Sequence, residues 1–96
     1  MDVQELLKEK REEILRIAAR YGAHHVRVFG SVARGEASLS SDIDLLVDME
    51  PGRTYLDFVA FWQDTEELLG CKVDVISEGG VSPYLKEKIL SETIPL

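Results

Sequence analysis

"RVFGSVARGEASLSSDIDLLVDM", residues 27–49, sets a Gly-Ser turn and two aspartates, Asp42 and Asp44, between two apolar runs. Ahead of the turn, "HHVRVF" (24–29) alternates into β-branched and aromatic residues and meets Gly30, the pattern of a strand ending in a turn. Beyond it, "IDLLVDM" reads as a second strand, stopped by Pro51 and Gly52. The small residues between leave room for one short helix from Ser31 and a loop through Ser38 to Ser41.

Working outward, residues 3–21 repeat apolar side chains at three- and four-residue steps, with Asp2 as cap and Gly22 as stop, which predicts an amphipathic helix. Its alternating acidic and basic residues read as a solvated face. "YLDFVAFWQDTEELLG" predicts a second long helix closed by Gly70, and "CKVDVIS" a third strand. Ser82 as cap and Pro83 at the first helical position open a last helix, with Tyr84, Leu85 and Ile89 as its apolar stripe. The order is αβ(α)βαβα, an α/β (α+β) domain whose small mixed three-stranded sheet is flanked by helices. The turn ends strand one while the aspartates begin strand two, so a shared site requires those strands to be antiparallel. A helical crossover favours a parallel pair for strands two and three. Asp74, inside "VDV", is then expected beside Asp42 and Asp44.

Residues at i and i+2 of a strand share a face, so Asp42 and Asp44 project together. Two carboxylates about 5 Å apart at an effective dielectric near 20 repel by roughly 3 kcal/mol. That penalty is large for a domain of marginal stability, and Asp74 adds to it. A hard divalent cation reverses the sign, and Mg²⁺ takes oxygen ligands while sharing its other positions with phosphate oxygens. Gly30 lets backbone approach a ligand closely, and Ser31 offers a hydroxyl and an amide where a phosphate could sit. Arg34, one helical turn on, either adds a bidentate phosphate contact or lies in solvent. Phosphates carried past the carboxylates point to nucleotidyl transfer.

Composition narrows the setting. Ninety-six residues fit one domain over 1–96, burying roughly 60–65% of its unfolded surface and leaving no room for a second substrate domain. A partner is expected on size alone. The formal net charge of −7 argues against direct nucleic-acid binding, and no uninterrupted apolar stretch suggests a signal peptide or membrane span. The single cysteine, Cys71, rules out an internal disulfide and fits a reducing compartment, with the cytoplasm as default.

"GSVARGEASLSSDIDLLV" resembles the signature of the minimal nucleotidyltransferases of the DNA polymerase β superfamily: Gly-Ser, a short helix, then Asp-x-Asp-hydrophobic. The resemblance covers nearly the whole chain. It implies that Asp42, Asp44 and Asp74 are the catalytic Mg²⁺ ligands, and that the Gly30-Ser31 turn holds the phosphates of an ATP donor. It also implies the antitoxin half of a toxin–antitoxin module, paired with a HEPN-domain toxin and transferring AMP to a tyrosine of it. The rival is a catalytically idle binding module that neutralises its toxin by occlusion. A standalone enzyme acting on a small molecule is disfavoured because so short a chain cannot enclose one. The acceptor residue, base preference and any homo-oligomer stay open.

Other candidates read more plainly. Asp48 shares the parity of Asp44 but is expected at the surface, about 20 Å along the strand from Asp42. His24 and His25 are expected to be structural or solvated, and Cys71 a small buried filler. Phe58, Phe61 and Trp62 are expected in the core, with Phe61 or Trp62 a candidate for a partner surface.

Overall fold

The computed structural model describes residues 3–35 and 42–96. Helix α1 (Val3–Tyr21) buries Val3, Leu7, Ile14 and Ala18, a single face at steps of four and seven. Gly22, with φ 76°, ends it in the left-handed conformation that glycine adopts without strain. Strands β1 (Ala23–Phe29) and β2 (Ile43–Met49) follow, then α2 (Tyr55–Leu69), β3 (Val73–Ser77), a 3₁₀ turn (Glu78–Gly80), α3 (Pro83–Ser91) and β4 (Ile94–Pro95). The expected cap Asp2 and the expected loop at Ser38 to Ser41 lie outside the described residues.

The sheet runs β3-β2-β1-β4. β1 pairs antiparallel with β2, and β2 pairs parallel with β3 across the α2 crossover, as the connection lengths predict. A fourth strand joins where the sequence pattern supports three. It has two residues, one of them a proline, so it shows no alternation; as an edge strand it tolerates the missing N–H. The helix expected from Ser31 is, in its described part, a run of turns over 30–35. Arg34 N–H donates to Gly30 C=O and Gly35 N–H to Val32 C=O, each at 3.1 Å, and Gly35 leaves the turn at φ 75°.

One sheet face carries Val26, Val28, Ile43, Leu45, Val47, Val73 and Val75 against α1 and against Phe61 and Leu69 of α2. Phe61 is fully buried, which removes it as a partner-surface residue. Thr54 precedes α2 with its N–H donating to Asp57 at 3.0 Å, and Gly70 closes the helix at φ 68°. Ser82 caps α3 as expected, accepting from Leu85 N–H. The stripe on α3 packs only at its end, however: Tyr84 is 93% exposed and Leu85 exposed, Ile89 is half-buried, and no residue of that helix is fully buried.

Candidate active site

The opposite sheet face is built in rows, because residues paired across strands point the same way. Phe29, Asp44 and Asp74 form one row, since Phe29 pairs with Asp44 and Asp44 with Asp74. Arg27, Leu46 and Ile76 form the next. Neighbouring strands lie about 4.8 Å apart, so the Asp44 and Asp74 carboxylates face each other at close range. Parity and the parallel register together deliver the juxtaposition expected of these two residues.

Asp44 carries the electrostatic signature of that crowding. Burial, then Asp74, then Asp42 push its carboxyl above the usual range, and Arg34 offsets this only in part. Gly30 lies directly beneath it at φ 71°, and a Cβ there would overlap Asp44 Oδ2 and sit 3.2 Å from Cγ. The absent side chain is what lets the Gly-Ser turn and the carboxylate touch. Ser31 follows in that turn and is half-buried.

Asp42 lies just before β2, and its carboxylate reaches Lys72 Nζ at 3.8 Å rather than joining its two companions. Among the described residues, no group of three or more His, Cys, Asp and Glu side chains stands ready to hold a metal ion. The donor chemistry nevertheless suits a hard cation. Asp44 and Asp74 offer carboxylate oxygens on one row, with the repulsion on Asp44 only partly offset by Arg34. The Asp42–Lys72 pair is solvent-exposed on both sides and therefore worth at most about 1 kcal/mol, a contact that a divalent ion displaces readily. Arg34 reaches Glu92 Oε2 at 3.5 Å, with both side chains partly exposed, close enough to the turn to act on Asp44.

Farther along the same face is a second charged group that sequence reasoning missed. Arg27 is buried, donating to His25 C=O at 3.0 Å, Glu78 at 3.0 Å and Asp48 at 3.3 Å. Asp48 keeps a partly exposed side chain, as expected, but is also an ion-pair partner, because the arginine on the neighbouring strand reaches past Leu46 to it. Parity held the clue: Arg27 shares a face with Phe29, and Asp48 with Asp44. His24 and His25 stay exposed, beside Glu50 at 3.0 Å and Asp48 at 3.5 Å. Cys71 is half-buried, and burial, Glu66 and Asp42 raise its thiol, consistent with an inert filler. Trp62 is half-buried, in edge-to-face contact with Phe58, while the exposed aromatic of α2 is Tyr55.

Comparison with known proteins fits this geometry. Residues 6–96 match the nucleotidyltransferase domain family. A protein of Methanocaldococcus jannaschii named as a protein adenylyltransferase is 38% identical over 88 residues, covering 92% of this chain and 95% of its own. Protein adenylyltransferase MntA of Thermococcus cleftensis is 31% identical over 93 residues, covering 97% and 91%. A solved minimal nucleotidyltransferase structure superposes with a TM-score of 0.89 at 53% identity over 100% of this chain and 97% of that one. A toxin–antitoxin complex with AMP-PNP superposes at 0.74 with 19% identity, covering 88% and 69%, a likeness of fold. With the family model spanning nearly its whole length and the Gly-Ser turn set against paired aspartates, this chain belongs to the nucleotidyltransferases, as one of the minimal members.

Proposed function

We propose that this protein is a Mg²⁺-dependent adenylyltransferase that moves AMP from ATP to a tyrosine of a HEPN-domain toxin, and thereby acts as that toxin's antitoxin. The observation that carries the reading is the contact between Gly30 and Asp44, with Asp74 in register beside it. A turn with no side chain in the way and a pair of crowded carboxylates share one spot. The adenylyltransferase relatives and the MntA–HpeT toxin–antitoxin complex, similar in fold at a TM-score of 0.72, support the donor chemistry and the kind of partner.

In the reaction, the tyrosine oxygen forms a bond to the α-phosphorus of ATP, the bond from that phosphorus to the pyrophosphate oxygen breaks, and the phenolic proton leaves to solvent or a nearby base. The backbone at Gly30 and the Ser31 hydroxyl would hold phosphate oxygens, with Arg34 adding a cationic contact on exchanging Glu92 for phosphate. Asp44, Asp74 and a reoriented Asp42 would hold Mg²⁺. That ion, when bound, supplies charge neutralisation at the reacting phosphate and leaving group. Asp44 and Asp74 contribute by standing where the charge is needed before substrate arrives, so little reorganisation remains.

The test combines the purified chain, Mg-ATP and its toxin, and follows the toxin's intact mass. An AMP-sized increment that disappears with Asp42→Ala and Asp44→Ala supports transfer. A tight complex with no increment would leave only neutralisation by occlusion.

A further inference from the structure

β3 is an edge strand, and its residue Val73 immediately precedes Asp74. Ile43 N–H donates to Lys72 C=O at 3.1 Å, so the alternation of a parallel ladder turns the N–H and C=O of Val73 toward the open edge. Both groups are met by α2. Trp62 Nε1–H donates to Val73 C=O at 2.5 Å, and Val73 N–H donates to Glu66 Oε2 at 3.2 Å. Trp62 and Glu66 stand four residues apart, on one helical face, so a single face of α2 grips both backbone groups of one residue.

An edge needs some protection from stray pairing, and scattered charge usually provides it. This grip is aimed more narrowly. The carbonyl held by the indole belongs to the planar peptide unit that joins Val73 to Asp74, and that plane sets where the Asp74 Cα directs its side chain. The opposite edge of the same segment is fixed by the ladder to β2. Asp44 has Gly30 beneath it to define its place, and Asp74 has this clamp.

We propose that Trp62 and Glu66 are positioning residues that aim the Asp74 carboxylate at Asp44, and so set the affinity of the site for a divalent cation. The inference rests on the reading of Asp74 as a metal ligand given above.

Trp62→Phe keeps the ring contact with Phe58 and removes only the donor. Glu66→Ala removes the acceptor, while Glu66→Gln restores it through the amide oxygen. With Mn²⁺ as probe, followed by its free-ion EPR signal in the presence of AMP-PNP, Trp62→Phe and Glu66→Ala should each weaken binding about tenfold, the low end of what groups orienting metal ligands contribute, with Glu66→Gln within about twofold of wild type. Saturating Mn²⁺ should return turnover close to the wild-type rate. Wild-type Mn²⁺ affinity in Trp62→Phe and Glu66→Ala, with only a lower melting temperature, would show that α2 merely seals the edge and would overturn the proposal. Asp74→Asn separates the two layers. If it too binds Mn²⁺ like wild type, the ligand assignment falls, and the clamp's purpose with it.

Discussion

Two carboxylate groups share the open sheet face and are treated in opposite ways. At one end, Asp48 and Glu78 close on the buried guanidinium of Arg27; hydrogen bonds from Asp48 and Arg27 hold Glu78 at about 2, while burial and Glu78 push Asp48 upward against the pull of Arg27. At the other end, Asp44 and Asp74 face each other with no buried cation between them among the described residues, and Asp44 is pushed upward with only the exposed Arg34 to offset it. Each group pairs an aspartate of β2 with a carboxylate from β3 or the turn just after it. What differs is whether the fold supplies the countercharge itself. Where it does, the charges are spent on structure; where it withholds one, the repulsion is relieved by something that arrives from outside.

The largest effect expected from this contrast is on catalysis. Asp44→Asn or Asp74→Asn should cut AMP transfer by about a thousandfold, the scale of removing a group that stabilises developing charge. Either substitution should leave the melting temperature in metal-free buffer unchanged or raise it, since each removes one of two repelling charges. A variant that loses activity by unfolding would break the distinction between the two ends.

Arg27→Met should do the reverse. Removing one partner of a buried ion pair costs about 3–5 kcal/mol, and at about 4–8 °C per kcal/mol in a domain this small the melting temperature should fall by well over 10 °C. Metal and nucleotide affinity per folded molecule, measured at low temperature, should stay near wild type. A fall in nucleotide affinity with unchanged stability would instead place Arg27 in the substrate site.

That division was only half legible in the sequence. Asp42 and Asp44 show themselves by spacing, Asp74 by sitting within a strand that a crossover returns parallel to theirs, and Gly30 by closing β1. Local periodicity and connection rules are enough for such features. Parity gives the face of Arg27 but not its burial, which depends on two residues 21 and 51 positions away, Asp48 and Glu78. β4 was missed because a two-residue strand has no period to read. The stripe of α3 misled for the complementary reason: spacing says which residues share a helical face, while whether that face meets a core is decided by tertiary placement. Asp42 shows the same limit in miniature, since its parity is right, yet its carboxylate turns to Lys72.

Gly30→Ala tests the join between turn and carboxylate. A Cβ at φ 71° costs about 1–2 kcal/mol on its own, and here it also overlaps Asp44 Oδ2. Asp44 must turn away, so AMP transfer should drop far more than stability does. Pairing Gly30→Ala with Asp44→Asn in a double-mutant cycle should show strong non-additivity in activity. Additive losses would mean that the glycine serves the turn alone.

The smallest effect is also the most direct comparison of the two ends, because it reads the sign of each carboxylate's contribution to folding. Glu78 is held below its ordinary 4.5, at about 2, so its contribution is complete above pH 4.5 and fades as pH falls toward 2. Asp44 is raised above its ordinary 3.8, so whatever it contributes is complete below pH 3.8 and is lost as pH rises through its folded-state value. Urea midpoints in EDTA should therefore find Glu78→Gln less stable than wild type at neutral pH and Asp44→Asn equal or more stable, with both differences shrinking in acid, from opposite directions. Solvent screening keeps these shifts modest, since both side chains are partly exposed. If the two variants moved the same way with pH, the open face would not be divided into a self-neutralised end and one that waits for a cation.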